Sequence, residues 1–158
     1  MKKIFAITFF TLILLCAVGG LHAVDGFYIG ISPEAGAYTR FGAAIGGSLS
    51  AGVEINRQFS AGVITSIFHN LDTVLSVDPK AFFRYYIPLP AYGLFVQAET
   101  GCVVFFEFNE AFPAFSGSVS AGWRFNFAEN WYAEPAARFG YPFIWGVGVS
   151  AGVRIGNK

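Results

Sequence analysis

Trp145-Gly-Val-Gly-Val-Ser-Ala-Gly-Val-Arg-Ile155 is the stretch on which the fold turns. Trp145, Val147, Val149, Ala151, Val153 and Ile155 alternate with Gly146, Gly148, Ser150, Gly152 and Arg154. Successive side chains of a β-strand point to opposite faces, so one set forms an apolar face and the other a small, polar and charged one. A helix would scatter both sets around its circumference.

The same period recurs upstream. Phe41, Ala43, Ile45, Leu49, Ala51, Val53 and Ile55 oppose Arg40, Gly42, Gly46, Ser48, Ser50, Gly52 and Glu54. Phe115, Val119, Ala121, Trp123, Phe125 and Phe127 oppose Ser116, Ser118, Ser120, Gly122, Arg124 and Asn126. The segment Gly47-Ser-Leu-Ser-Ala-Gly-Val53 returns as Gly117-Ser-Val-Ser-Ala-Gly-Trp123 and as Gly148-Val-Ser-Ala-Gly-Val153, an echo between strands rather than a solenoid period. Read throughout, the pattern predicts eight strands, at about 26–38, 40–55, 58–68, 73–87, 92–107, 114–127, 131–141 and 144–156. Asn56-Arg57, Asn70-Leu71-Asp72, Pro88-Leu89-Pro90, Asn109-Glu110 and Glu129-Asn130 supply tight reversals, so neighbouring strands pair antiparallel.

Charge assigns the faces. Twelve ionisable residues fall within these strands: Glu34, Arg40, Glu54, Asp78, Lys80, Arg84, Glu99, Glu107, Arg124, Glu134, Arg138 and Arg154. Each lies opposite the apolar series of its own segment. An eight-stranded barrel has a lumen only just wide enough for side chains to fill. The many Phe, Trp, Val, Ile and Leu of the apolar series are too bulky to enclose there. Glycines of the other series, among them Gly30, Gly52, Gly62, Gly101, Gly122 and Gly152, suit a tight interior. The expectation is an all-β, eight-stranded, antiparallel up-and-down transmembrane β-barrel, apolar toward lipid and ionic within. Six carboxylates against six cations let every interior charge find a partner, which matters because an unpaired buried ion costs several kcal/mol. Closure also answers the backbone, since lipid offers no hydrogen bonds to an open sheet edge.

Aromatics fall into two groups. Phe59, Tyr85, Tyr92, Phe127 and Trp131 lie near one set of turns, and Phe41, Phe106, Phe108, Phe139, Tyr141 and Trp145 near the other. Two interfacial girdles are expected, although strands favour aromatics in any case.

Residues 1–23 read as a signal peptide: Lys2 and Lys3, an apolar run from Ile4 to Val18, and a small residue at Ala23 for cleavage. A retained anchor helix and lipidation at Cys16 compete with this reading, though Leu15 is a poor fit just before a lipidated cysteine. The barrel then occupies 24–158. Cys102 is the single cysteine left, so neither a disulfide nor a thiolate metal site follows. The 158 residues make one domain, charged residues are only 13%, aromatics 18%, and the formal net charge of zero gives a nucleic-acid partner no electrostatic support.

On these residues the chain resembles the small bacterial outer-membrane barrels of the OmpA, OmpX and OmpW type, over about 24–158. The likeness implies residence in the outer membrane, outer-membrane lipid as surroundings, and insertion by the outer-membrane assembly machinery. Two departures stand out. The outer reversals are short for that group, and the last strand ends Arg154-Ile155-Gly156-Asn157-Lys158 instead of on an aromatic.

No catalytic residue, metal ligand or cofactor is expected. His69 has Ser66 and Ser76 as its nearest serines, and the serine two residues on that the lipid A deacylase barrels use is replaced by Leu71. The glycines of 42–47 lack the helix and lysine of a phosphate loop. Function is expected to be nonenzymatic: a structural barrel, or a poorly conducting small-solute pore with a salt-bridged lumen. The alternatives are a conduit for small apolar molecules, left open by inward Phe82, Phe95 and Phe105 and by strand prolines Pro33 and Pro135, a lipid-modifying enzyme, or a surface binding module.

Overall fold

The computed structural model describes residues 26–39, 41–70, 74–89, 93–107 and 110–156. The expected leader and Arg40, Tyr92 and Phe108 lie outside the described residues. Nine strands follow in order: β1 Gly26–Tyr38, β2 Gly42–Glu54, β3 Phe59–Asn70, β4 Leu75–Tyr86, β5 Leu94–Glu107, β6 Glu110–Trp123, β7 Phe125–Asn126, β8 Trp131–Tyr141 and β9 Phe143–Ile155. Each pairs antiparallel with its neighbours, β1 pairs with β9, and β6 pairs with β8, so the sheet closes on itself. The long β6 and the two-residue β7 share β8 as partner and form one stave. The result is an eight-stave, up-and-down barrel. The start of β1 at Gly26 and the end of β9 at Ile155 lie at one end, the terminal end, with the turns at 55–58 and 127–130; the opposite end is the far end.

Exposure settles the faces. Ile31 is 66% exposed, Phe115 65% and Phe139 64%, whereas Asp78 is 0%, Lys80 3% and Glu134 4%. Grease is outside and charge inside, the reverse of a water-soluble fold. Phe127 and Trp131 near the terminal end, and Phe106, Phe139, Tyr141 and Trp145 near the far end, are exposed on the outer surface. Phe59 and Tyr85 pack on each other there, rings 5.1 Å apart. Phe41 departs from the girdle. Its ring turns over the barrel mouth onto Phe105 (5.2 Å) and Tyr38 (6.3 Å).

Register explains how bulky aromatics fit inside. Across the ladders, Tyr28 faces Gly52, Phe68 faces Gly46, Phe82 faces Gly62, Phe95 faces Gly122 and Tyr132 faces Gly152. A Cβ at Gly52 would stand 2.6 Å from the Tyr28 ring, and one at Gly122 2.6 Å from the Phe95 ring. Each of these five inward rings therefore lies over a glycine of the adjacent strand, and that pairing lets this part of the lumen reach the close packing of a protein core.

Three irregularities share one cause. Ladder pairing lapses between Ile31–Ala151 and Glu34–Gly148 beside Pro33, between Val77–Val104 and Lys80–Gly101 beside Pro79, and between Ala133–Phe125 and Ala136–Gly122 beside Pro135. Proline has no N–H to donate, so a ladder bond is lost at each. The last lapse is what splits the expected 114–127 strand at Arg124, whose own N–H is bonded to the Gly93 carbonyl (2.8 Å). That stave also begins earlier than expected, at Glu110. A separate register shift of one residue on β9, where Ala37 pairs with Trp145 but Tyr38 with Phe143, turns Phe143 inward.

Candidate functional site

The lumen is filled from the strands inward. On β4 the inward parity carries Asp78, Lys80, Phe82 and Arg84; on β5, Gln97 and Glu99; on β8, Glu134 and Arg138. In the half nearer the termini these groups form one chain of ion pairs. Arg84 Nη1 donates to Glu134 Oε1 (2.7 Å). Arg124 Nε donates to the same oxygen, and its Nη1 donates to Glu54 Oε1 (2.8 Å). Arg154 Nη2 lies 2.6 Å from Glu54 Oε2.

A second chain occupies the far half. Lys80 Nζ stands 2.6 Å from Glu99 Oε2 and 3.3 Å from Asp78 Oδ2. Arg138 Nη1 reaches Glu99 at 3.8 Å, and its Nη2 donates to Glu34. Gln97 couples the two chains. It accepts from Arg84 Nε (2.7 Å) and donates to Glu99 Oε1 (2.8 Å). Ser48, Ser118 and Ser120 donate to the carboxylates of Glu34 and Glu99. Charges withdrawn from water are thus met by counter-charges and by hydrogen bonds to their remaining lone pairs, the two conditions a buried ion requires. Ser66 and Asp78 face each other across β3 and β4, and their side-chain oxygens have no hydrogen-bond partner among the described residues, so only the Lys80 ammonium compensates Asp78.

Aromatic rings separate and cap these chains. Arg84 lies 4.0 Å from the Phe95 ring centre, and Arg124 4.4 Å from Tyr132 and 4.8 Å from Tyr28, so both guanidiniums are sandwiched between ion pairs and π-faces. At the far end Tyr38, Phe68, Phe105 and Phe143 form a plug with Val103, with Tyr38 and Phe143 stacked at 4.0 Å. Arg138, 5.0 Å from Phe143, joins the plug to the ion chain below it. Among Ser50, Ile64, Phe82, Gln97 and Ser150 the lumen holds a cavity of about 70 Å³.

Ten of the twelve charges singled out from sequence lie in these pairs. Glu107 stands at the far rim, half-buried beside Phe41 and Phe105, with no ion pair among the described residues. Arg40 lies outside the described residues. Arg154 is a rim residue, its side chain 40% exposed. Sequence reasoning placed Phe82, Phe95 and Phe105 inward but missed Gln97, Tyr28 and Tyr132, which share the parity of the charges and were legible by that signal. Phe143 had none, because the bulge reverses its parity. His69, next to last on β3, has its side chain exposed on the outer face, while Ser66 and Ser76 are buried inside. The barrel wall therefore stands between the histidine and both serines. Among the described residues no group of His, Cys, Asp and Glu could hold a metal ion.

No family model matches the chain, and no curated protein matches it by sequence. Solved structures do. Neisserial surface protein A superposes with a TM-score of 0.58 at 16% identity, covering 84% of this chain and 96% of that one. The fold is that of the small outer-membrane β-barrels. The outer membrane protein OprG of Pseudomonas aeruginosa has the same outer-membrane barrel fold, with a TM-score of 0.61 at 10% identity over 87% of this chain and 99% of its own. So does the N-terminal β-barrel domain of Pseudomonas aeruginosa OprF, at 0.51 and 18%, over 81% and 97%. At these identities the likeness is one of architecture.

Proposed function

We propose that this chain is a nonenzymatic barrel of the bacterial outer membrane, structural in role and at most a poor conductor of small solutes. One observation carries the reading: two coupled ion-pair chains and an aromatic plug occupy the lumen in series, and the cavity among them measures about 70 Å³. Ions can pass such an interior only by re-pairing the buried charges, each step of which exposes an uncompensated ion. The apolar exterior supports lipid as its surroundings, and the barrel architecture supports insertion by the outer-membrane assembly machinery, following the proposed leader at 1–23. Planar-bilayer recordings test the lumen. Wild-type barrel is expected to be closed or nearly so, with Arg84→Ala and Arg124→Ala raising conductance. Silence from all three rejects any channel role and leaves the structural one.

A conduit for small apolar molecules is a second reading, favoured by the wall itself. Pro33 and Pro135 flank Val149 at one height, and an outer groove there shares Glu34, Ala136, Val147 and Gly148 with the inner cavity. Uptake of apolar solutes into vesicles, compared with a Pro33→Val and Pro135→Val barrel, separates the readings. Equal uptake by both barrels removes the conduit.

A further inference from the structure

The mouth at the terminal end holds a pocket that the closed-lumen reading leaves unused. It measures about 350 Å³ and is lined by Glu54, Asn56, Arg57, Tyr86, Arg124 and Arg154, among others. Its one carboxylate is already neutralised on both oxygens, Oε1 by Arg124 and Oε2 by Arg154. The ion chain it belongs to carries three arginines, Arg84, Arg124 and Arg154, against two glutamates, Glu54 and Glu134, and so has an excess of positive charge. The far chain has the opposite excess, with Glu34, Asp78 and Glu99 against Lys80 and Arg138. Arg57, exposed on the turn beside Glu54, adds a further cation that makes no ion pair among the described residues.

The second observation is an orphaned donor. The Arg124 side chain is only 7% exposed, yet its Nη2 has no hydrogen-bond partner among the described residues. A buried guanidinium N–H without an acceptor is costly, and an acceptor from outside relieves it. Tyr86 adds an O–H, since its oxygen accepts from Arg84 Nη1 (3.1 Å) and its hydrogen is left to donate. Planar arginine forks arranged around a small hollow are the donor set that oxyanions take.

We infer that this mouth is a binding site for a phosphate-class oxyanion, whether free phosphate or the phosphate of a lipid headgroup, held by Arg57, Arg124 and Arg154 with Tyr86. The test uses the barrel refolded in maltoside micelles, titrated with sodium phosphate against a chloride control and followed through backbone amide shifts. Saturable shifts are expected at residues 54–58, 93, 124–126 and 154, and not in the far plug. Arg57→Gln with Arg154→Gln weakens the affinity by about tenfold or more, the loss of charge-assisted donors, and Arg57→Lys with Arg154→Lys restores part of it. Should Arg154→Gln prevent folding, judged by heat-modifiable migration, Arg57→Gln alone still lowers affinity, and that side chain is exposed with no ion pair among the described residues. Linear, unsaturating shifts, or an affinity indifferent to Arg57, overturn the inference. Competition with dihexanoylphosphatidylglycerol identifies the source: tighter binding than phosphate marks a headgroup site, and failure to displace phosphate marks a free-anion site.

Discussion

Glu134 receives both Arg84 and Arg124 on one carboxylate oxygen, inside a wall that admits little water. Replacing it with alanine leaves Arg84 without a carboxylate among the described residues and Arg124 with Glu54 alone, and breaking a buried pair costs about 3–5 kcal/mol. Urea unfolding in lipid vesicles should show Glu134→Ala as far more damaging than Arg154→Ala, whose charge is partly in water. Equal midpoints would mean that the chain contributes little to stability. Space is tight at Gly30. A Cβ there meets Tyr132 OH at 2.7 Å and Ser150 Oγ at 2.8 Å, so Gly30→Ala is expected to cost about 1–3 kcal/mol through overpacking. Tyr132 OH has no hydrogen-bond partner among the described residues. Tyr132→Phe should therefore be nearly neutral alone and recover part of the Gly30→Ala loss in the double variant, measured by the same unfolding cycle.

Strands behave as their donors allow. Val149 lies opposite Pro135 on β8, and on its other side the pairing with β1 lapses at Pro33. Val153, a little further along β9, is paired with Trp131 and with Ile29. Amide hydrogen exchange should be faster at Val149 by about tenfold or more, since local opening follows the number of ladder bonds that must break. Matching rates at the two valines would show that the proline lapses leave the wall intact. The prolines and the alternation were both visible in sequence, so the strands and the places where one would weaken were legible. Whether a given proline interrupts the ladder on one side or the other depends on which neighbour its missing N–H faces, and that is a property of register.

At the scale of the molecule, the exterior decides behaviour. Side chains such as Ile45, Phe115, Phe127, Val119 and Ile155 are each more than half exposed with no protein to cover them. A surface this apolar is stable only against lipid or detergent. A chain of residues 24–158 should give a strand-dominated circular dichroism spectrum and heat-modifiable migration after folding into micelles, and aggregate in detergent-free buffer. A monodisperse, folded species in plain buffer would overturn the assignment of faces.

Alternation and charge parity by themselves determined the strand content, the sidedness and the identity of the ion-lined interior, because both are local consequences of a two-residue repeat beside an apolar solvent. Only the closed tertiary structure decided who pairs with whom. Two separate ion chains joined at Gln97, rings seated over glycines of the next strand, and Phe143 turned inward by a bulge all depend on inter-strand register. Register is set by contacts between residues far apart in the chain, which no local period records.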